Sequence, residues 1–371
     1  MQASDLSTLT QQVLWSAFAL SVAFGAIAQR THFCTMGAVS DVVNMGDWTR
    51  MRQWALAAGV AVLGFALLVY FGQLDPSQTL YASNRWLWLS ALVGGGMFGF
   101  GMVLASGCGS KTLVRVGGGS LKALIVFVVM GIAAFATLRG ITGVVRVATV
   151  DQVATGFATQ AALPPLLAQA SDWSLATSSL VLGLVLGGLL VFWALADRAF
   201  IRGENLLAGL GVGAVLVAMW WVSGHLGHVQ EHPDTLQEAF LATNSGRIEA
   251  LSFVAPYAYT LDWLLFFSDK SRVLSVGIVS VAGVVAGSLV VALASRSFRW
   301  EGFGGPQDVA HHLLGATLMG VGGVTAMGCT IGQGLSGLST LSLASFVAMA
   351  GIFAGALLAF RYQNWQLERM A

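Results

Sequence analysis

Two distant segments share one pattern that closes on a cysteine: Gly99-x-Gly101-x-Val103-x-Ala105-x-Gly107-Cys108 and Gly320-x-Gly322-x-Val324-x-Ala326-x-Gly328-Cys329. The chain has three cysteines, so two of them at equivalent places in a repeat point to use, not filling. The third, Cys34, follows Gly25 at the same interval that separates Cys108 from Gly99. A thiol can ligate a soft metal, exchange with a disulfide, or donate a weak hydrogen bond to a sulfur-containing anion. In an ordinary apolar helix a cysteine is a small filler. Here Gly107, Gly109 and Ser110 surround Cys108, and Gly328 and Thr330 flank Cys329, positions where packing needs no sulfur. Lys111 and Arg115 follow closely; as rim charges they still draw anions toward that mouth. If Gly109, Ser110 and Lys111 open a short helix, their amides form an anion-favouring nest.

Other candidate chemistries are weaker. Gly107 to Thr112 superficially resembles a phosphate loop, but Ser110 stands where glycine should precede the lysine, and an apolar helix replaces the expected strand. His225, His228 and His232 have a spacing that could face one metal, yet Pro233 follows at once and favours a solvated segment. No C-x-x-C pair is present, so neither a zinc finger nor a disulfide framework is indicated. Trp86, Trp88, Trp220 and Trp221 fall at expected helix ends and read as interface anchors.

The elements that must position these residues are membrane helices. The 371 residues are 56% hydrophobic and 9% charged, with mean hydropathy +0.76, far from the roughly 25% charged residues of soluble domains. A net charge of +1 and the absence of basic runs interleaved with aromatics exclude a nucleic-acid partner. The spacing predicts an all-α integral membrane protein with nine spanning helices near 12–29, 54–72, 86–107, 121–138, 173–195, 206–224, 272–295, 311–328 and 341–361. No Lys or Arg precedes Arg30, so the first run lacks the basic start of a cleaved signal and should remain a helix. Arg30, Arg50, Arg52, Lys111, Arg115, Lys122, Arg198, Arg202, Arg296, Arg299, Arg361 and Arg369 gather on one side, while Glu231, Asp234, Glu238 and Glu249 fall on the other. The positive-inside rule then places the N-terminus in the periplasm and the C-terminus in the cytoplasm of a bacterial inner membrane.

With nine crossings the two glycine-cysteine segments run in opposite directions. One membrane domain, 1–371, is therefore expected to hold two inverted-topology repeats, 12–138 and 206–361, joined by a linking helix at 173–195. Gly109–Gly119 and Thr330–Thr340, rich in Gly, Ser and Thr, read as re-entrant segments that line a cavity. The connections 139–172 and 225–271 are long, and the second, with Pro256, Tyr257, Tyr259 and Trp263, reads as a flap lying in the interface.

The chain resembles the YeeE/YedE sulfur-transport family. The resemblance rests on the stretch Arg30 to Ala38 with Cys34, the turn Ser106-Gly107-Cys108-Gly109-Ser110, and the turn Gly328-Cys329-Thr330-Ile331-Gly332-Gln333-Gly334. It implies an hourglass of nine spanning helices with re-entrant segments and uptake of thiosulfate past Cys34, Cys108 and Cys329, with Cys108 at the constriction. It also implies a separate small cytoplasmic sulfur carrier of the TusA type as partner, since the chain ends soon after the ninth run. The expected path residues are these cysteines with Gly107, Gly109, Ser110, Lys111, Gly328 and Thr330. No cofactor or metal is expected, and no enzymatic activity. A thiolate would repel a dianion, so the relay calls for neutral thiols that bind weakly enough to release. Two alternatives remain open at this point: a membrane thiol oxidoreductase, which would want a cysteine pair, and a channel or transporter for another small sulfur or selenium oxyanion.

Overall fold

The computed structural model describes residues 3–233 and 235–370. Six helices fill the first half: α1 (Ala3–Thr31), α2 (Thr35–Met45), α3 (Thr49–Tyr70), α4 (Trp88–Leu104), α5 (Gly109–Gly117) and α6 (Leu121–Arg139). Two short helices, α7 (Ile141–Ala148) and α8 (Leu163–Ser171), lead to α9 (Leu175–Leu195). Then follow α10 (Gly203–Leu226), α11 (Ala255–Leu265), α12 (Val276–Ala294), α13 (Pro306–Thr325) and α14 (Leu343–Met370). Strand structure among the described residues is confined to two-residue pairs such as Arg85–Trp86 with Thr155–Gly156. The protein is an all-α integral membrane protein.

Among the described residues, eight helical segments are long and apolar enough to cross a bilayer. The expected run at 311–328 forms α13, whose 20 residues span about 30 Å; Asp308, His311 and His312 near its start make it less apolar than the others. α9 and α10 each contain π-turns, at Gly183–Gly187 in α9 and at Leu207–Gly211 and Val222–Leu226 in α10.

Without a hydrophobic drive between helices in lipid, small residues that let backbones touch decide which helices meet. α4 and α13 run in opposite directions and cross through reciprocal glycine contacts. A Cβ at Gly101 would lie 2.6 Å from the Gly315 carbonyl oxygen, and one at Gly315 would lie 2.6 Å from that of Gly101. Gly94 and Gly322 show the same mutual approach at 2.6 Å. Further out, α14 packs on α4 and α6 packs on α13, while α1 packs on α12 and α10 packs on α3.

Two expectations need correction. Trp220 is no interface anchor: its side chain is fully buried and its indole donates to Ser339 Oγ at 3.0 Å. The connection 225–271 is no surface flap, because its α11 enters the protein and buries Tyr257 completely. In both cases a polar handle on an aromatic ring has found an internal acceptor, the condition under which Trp and Tyr are buried. The histidines of that stretch have local partners, His225 stacking on Trp221 and His228 pairing with Glu238 at 2.7 Å.

Candidate functional site

Each cysteine stands where one helix ends and a short one begins. α1 ends at Thr31, α4 at Leu104 and α13 at Thr325, and in each case a left-handed residue turns the chain: His32 (φ 53°), Ser106 (φ 54°) and Met327 (φ 58°). The cysteine comes two residues later. After α4, the amides of Ser106 and Gly107 bond back to Val103 and Met102 at 3.1 and 2.8 Å; after α13, those of Met327 and Gly328 bond to Val324 and Gly323 at 3.0 and 2.7 Å. This paired reverse bonding satisfies the last carbonyls of a helix, so Gly107 and Gly328 act in the turns that aim the sulfurs.

Cys34 is the N-cap of α2, its sulfur accepting from the Gly37 amide at 3.4 Å. Cys108 is the N-cap of α5, where the Lys111 amide faces the sulfur without completing a cap bond. The Cys329 sulfur accepts from the Gly332 amide at 3.3 Å at the entry to the π-turn Gly332–Gly337. All three thiols are buried and free of disulfides. α5 and the π-turn, expected as polar excursions into the protein, are short helical pieces buried within it. α5 stops at a glycine run where Gly119 has φ 97° and a Cβ would meet the Arg299 carbonyl oxygen at 2.5 Å; only glycine suits that turn.

The site residues meet one another. The thiols of Cys34 and Cys108 are near enough to act on each other, and Ser110 Oγ lies 3.4 Å from the Cys108 sulfur. Thr330 is near enough to act on the same sulfur, and its buried Oγ1 has no hydrogen-bond partner. Gly109 is held from outside its helix: the Tyr257 hydroxyl donates to its carbonyl. Tyr81 does the same for Gly332, donating to its carbonyl at 2.6 Å. Tyr81 did not stand out in the sequence and Tyr257 was read only as part of the flap, although the chain has only five tyrosines and a buried tyrosine must find a partner for its hydroxyl.

Open space approaches the cluster on two sides, stopping at residues that neighbour the cysteines in sequence. A cavity of about 280 Å³ is lined by Leu138, Arg146, Glu249, Tyr259, Met327 and Gly328, next to Cys329. A cleft of about 480 Å³ is lined by Gln29, His32, Lys111, Arg115, Arg299 and Glu301. α6 separates them, with Ser120 before its start in the cleft wall and Leu138 near its end in the cavity wall. Burial pushes the Glu249 carboxyl in the cavity upward, against hydrogen bonds from Ser245. In the cleft, Glu301 bridges Arg115 at 3.1 Å and Lys122 at 3.0 Å. Burial disfavours its charged form, but these two cations outweigh that and hold its carboxyl at about 2. Arg115 is therefore committed to a partner, whereas Lys111 makes no ion pair among the described residues.

Residues 30–358 match the model of the sulphur transport family. The chain is 27% identical over 351 residues to the thiosulfate transporter TsuA of Spirochaeta thermophila, covering 91% of this chain and 94% of that protein. It is also 27% identical to the thiosulfate transporter TsuA of Escherichia coli, over 84% of this chain and 83% of the relative. A shorter match, 32% identical over 110 residues, covers 30% of this chain and 26% of the probable transporter YedE of Escherichia coli. The chain belongs to the sulphur transport family.

Proposed function

We propose that this protein carries thiosulfate, or a closely related small sulfur oxyanion, inward across a bacterial inner membrane, past Cys329, Cys108 and Cys34 in turn. One observation carries the reading: three buried thiols at helix starts, two of them near enough to act on each other, lie between a cavity that reaches Gly328 and a cleft that reaches Lys111. Neutral S–H groups, helped by Ser110 and Thr330, hand the anion along by weak hydrogen bonds. The starts of α2 and α5 supply positive potential without a mobile counter-ion. Passage needs sites that bind and also release, which thiols satisfy better than arginines would.

The opposed directions of α4 and α13 support two inverted repeats, 12–138 and 206–361, joined through 173–195. On this arrangement the N-terminus is periplasmic, the cavity faces the periplasm and the cleft faces the cytoplasm, where a separate TusA-type carrier takes the cargo. The protein acts as a transporter and not as an enzyme.

The test is uptake of radiolabelled thiosulfate into proteoliposomes, with sulfate, sulfite and selenite as competitors. Cys108→Ala is expected to abolish uptake, and Cys108→Ser to retain a measurable part because a hydroxyl still donates. A second reading, covalent thiol chemistry, is favoured by the proximity of Cys34 and Cys108, a pair that is distant in sequence. Equal and complete loss in both variants would favour it over the relay.

A further inference from the structure

Arg50 lies outside the cysteine motifs, at the start of α3, yet its guanidinium returns to the beginning of α2. Asp41 holds it, with Oδ2 3.3 Å from Arg50 Nε, and Asp41 is itself 7% exposed. The guanidinium lies across Gly37, where an added Cβ would come 2.6 Å from Nη1. Gly37 is the residue whose amide bonds the Cys34 sulfur. The absence of a side chain at Gly37 is thus what lets a cation rest over the first turn of α2.

Two further groups converge there. The Lys111 ammonium is near enough to act electrostatically on both Cys34 and His32, and Arg50 also acts on His32. Lys111 has no carboxylate partner among the described residues, and Asp41 offsets only Arg50. The remaining carboxylate acting on His32 is Glu204. Thr35, the first residue of α2, is 1% exposed and its Oγ1 has no hydrogen-bond partner. A buried polar atom left without a partner is uncommon and calls for a ligand or water.

We propose that Arg50, Lys111 and Thr35 at the start of α2 form a second anion site, at the exit from the thiol constriction, which takes a tetrahedral sulfur oxyanion as it leaves Cys34. The inference rests on the transport reading and adds a binding step on one face. Arg50 supplies planar donors and Lys111 a point charge, a pairing suited to oxyanions. Lys111 lines the cleft, where salt screens its charge, so an anion held there is let go into an ionic solution.

The test compares the two faces of the membrane. Thiosulfate flux is measured in right-side-out and inside-out vesicles, and the half-saturation concentration is taken from each face. Arg50→Gln is expected to raise it at least tenfold from the face carrying Arg50, to flatten its dependence on salt there, and to change it less than threefold from the other face. Asp41→Asn with Arg50→Gln removes both charges together and leaves no buried carboxylate unpaired; it is expected to give the same one-sided change. An equal change from both faces, or no change, overturns the inference while leaving the transport reading intact. Absence of saturable flux from either face in the unsubstituted protein removes that reading, and the inference with it.

Discussion

The crossing of α4 and α13 fixes where two sulfurs lie, and Gly101→Ala tests how tightly. The new Cβ would sit 2.6 Å from the Gly315 carbonyl oxygen, 2.9 Å from Leu318 Cβ and 3.0 Å from the Met319 amide nitrogen, against 3.4 Å for ordinary contact. The backbone oxygen cannot step aside as a side chain can, so the helices must part by roughly 0.8 Å. Such overpacking costs about 1–3 kcal/mol. The displacement reaches the site at once, because Ser106 to Cys108 follow directly from the end of α4. The expected result is a lower unfolding temperature in detergent and at least a tenfold loss of thiosulfate uptake in proteoliposomes. Gly188→Ala in α9 is the matched control: nothing lies within 4 Å of its added Cβ. Alanine in a helix is better than glycine by roughly 0.5–1 kcal/mol, so this variant should be slightly stabilised and fully active. Wild-type stability and uptake in Gly101→Ala, or equal losses in the two variants, would refute the argument that backbone contact at this crossing sets the sulfur positions.

Two other expectations concern groups around the site. Tyr257→Phe and Tyr81→Phe each remove one hydroxyl donor, from the Gly109 and Gly332 carbonyls respectively. Each should cost about 0.5–1.5 kcal/mol and slow uptake, read by thermal unfolding and initial rates on the same preparations. Glu301 carries the pH dependence of the cleft wall. Its carboxyl is held at about 2 in the folded protein, below its usual 4.5, so its pairing stabilises fully above the unfolded value and is lost as pH falls through the folded one. The difference in unfolding temperature between the unsubstituted protein and Glu301→Gln should stay constant from pH 8 to about 5 and shrink below about 4.

Fold class and the breaks at Cys108 and Cys329 were legible because they rest on local rules. Long apolar runs make membrane helices, and Gly-Cys-Gly-Ser after such a run breaks it. The opposed directions of the two glycine-cysteine copies followed from counting crossings. What the sequence did not reveal depends on distant partners. Trp220 has the composition of an interface anchor, and only its acceptor Ser339, over a hundred residues on, explains its burial. Tyr257 looked like part of a flap because its acceptor, the Gly109 carbonyl, belongs to the other half of the chain. The proximity of Cys34 and Cys108 was equally hidden: no vicinal motif announces two thiols that separate helix starts bring near each other. Arg50 reads as one more inner-rim cation until Gly37 and Asp41 show where its guanidinium rests.

The shared turn also bears on why sulfur, and not a fixed charge, occupies these positions. A left-handed conformation costs a non-glycine residue about 1–2 kcal/mol, yet His32, Ser106 and Met327 all adopt it two residues before a cysteine. Each turn ends one helix and starts another with the sulfur at its first amides. A helix N-terminus is equivalent to roughly half a positive charge, so α2 and α5 together bring about one, and Lys111, without an ion pair among the described residues, another. On the proposed reading these nearly match the charge of a dianion beside Cys34 and Cys108. A thiolate or carboxylate there would spoil the balance and repel the anion, while a further arginine would trap it. A neutral group that is polarizable, small and able to donate weakly leaves the balance undisturbed, and cysteine is the side chain that combines those properties.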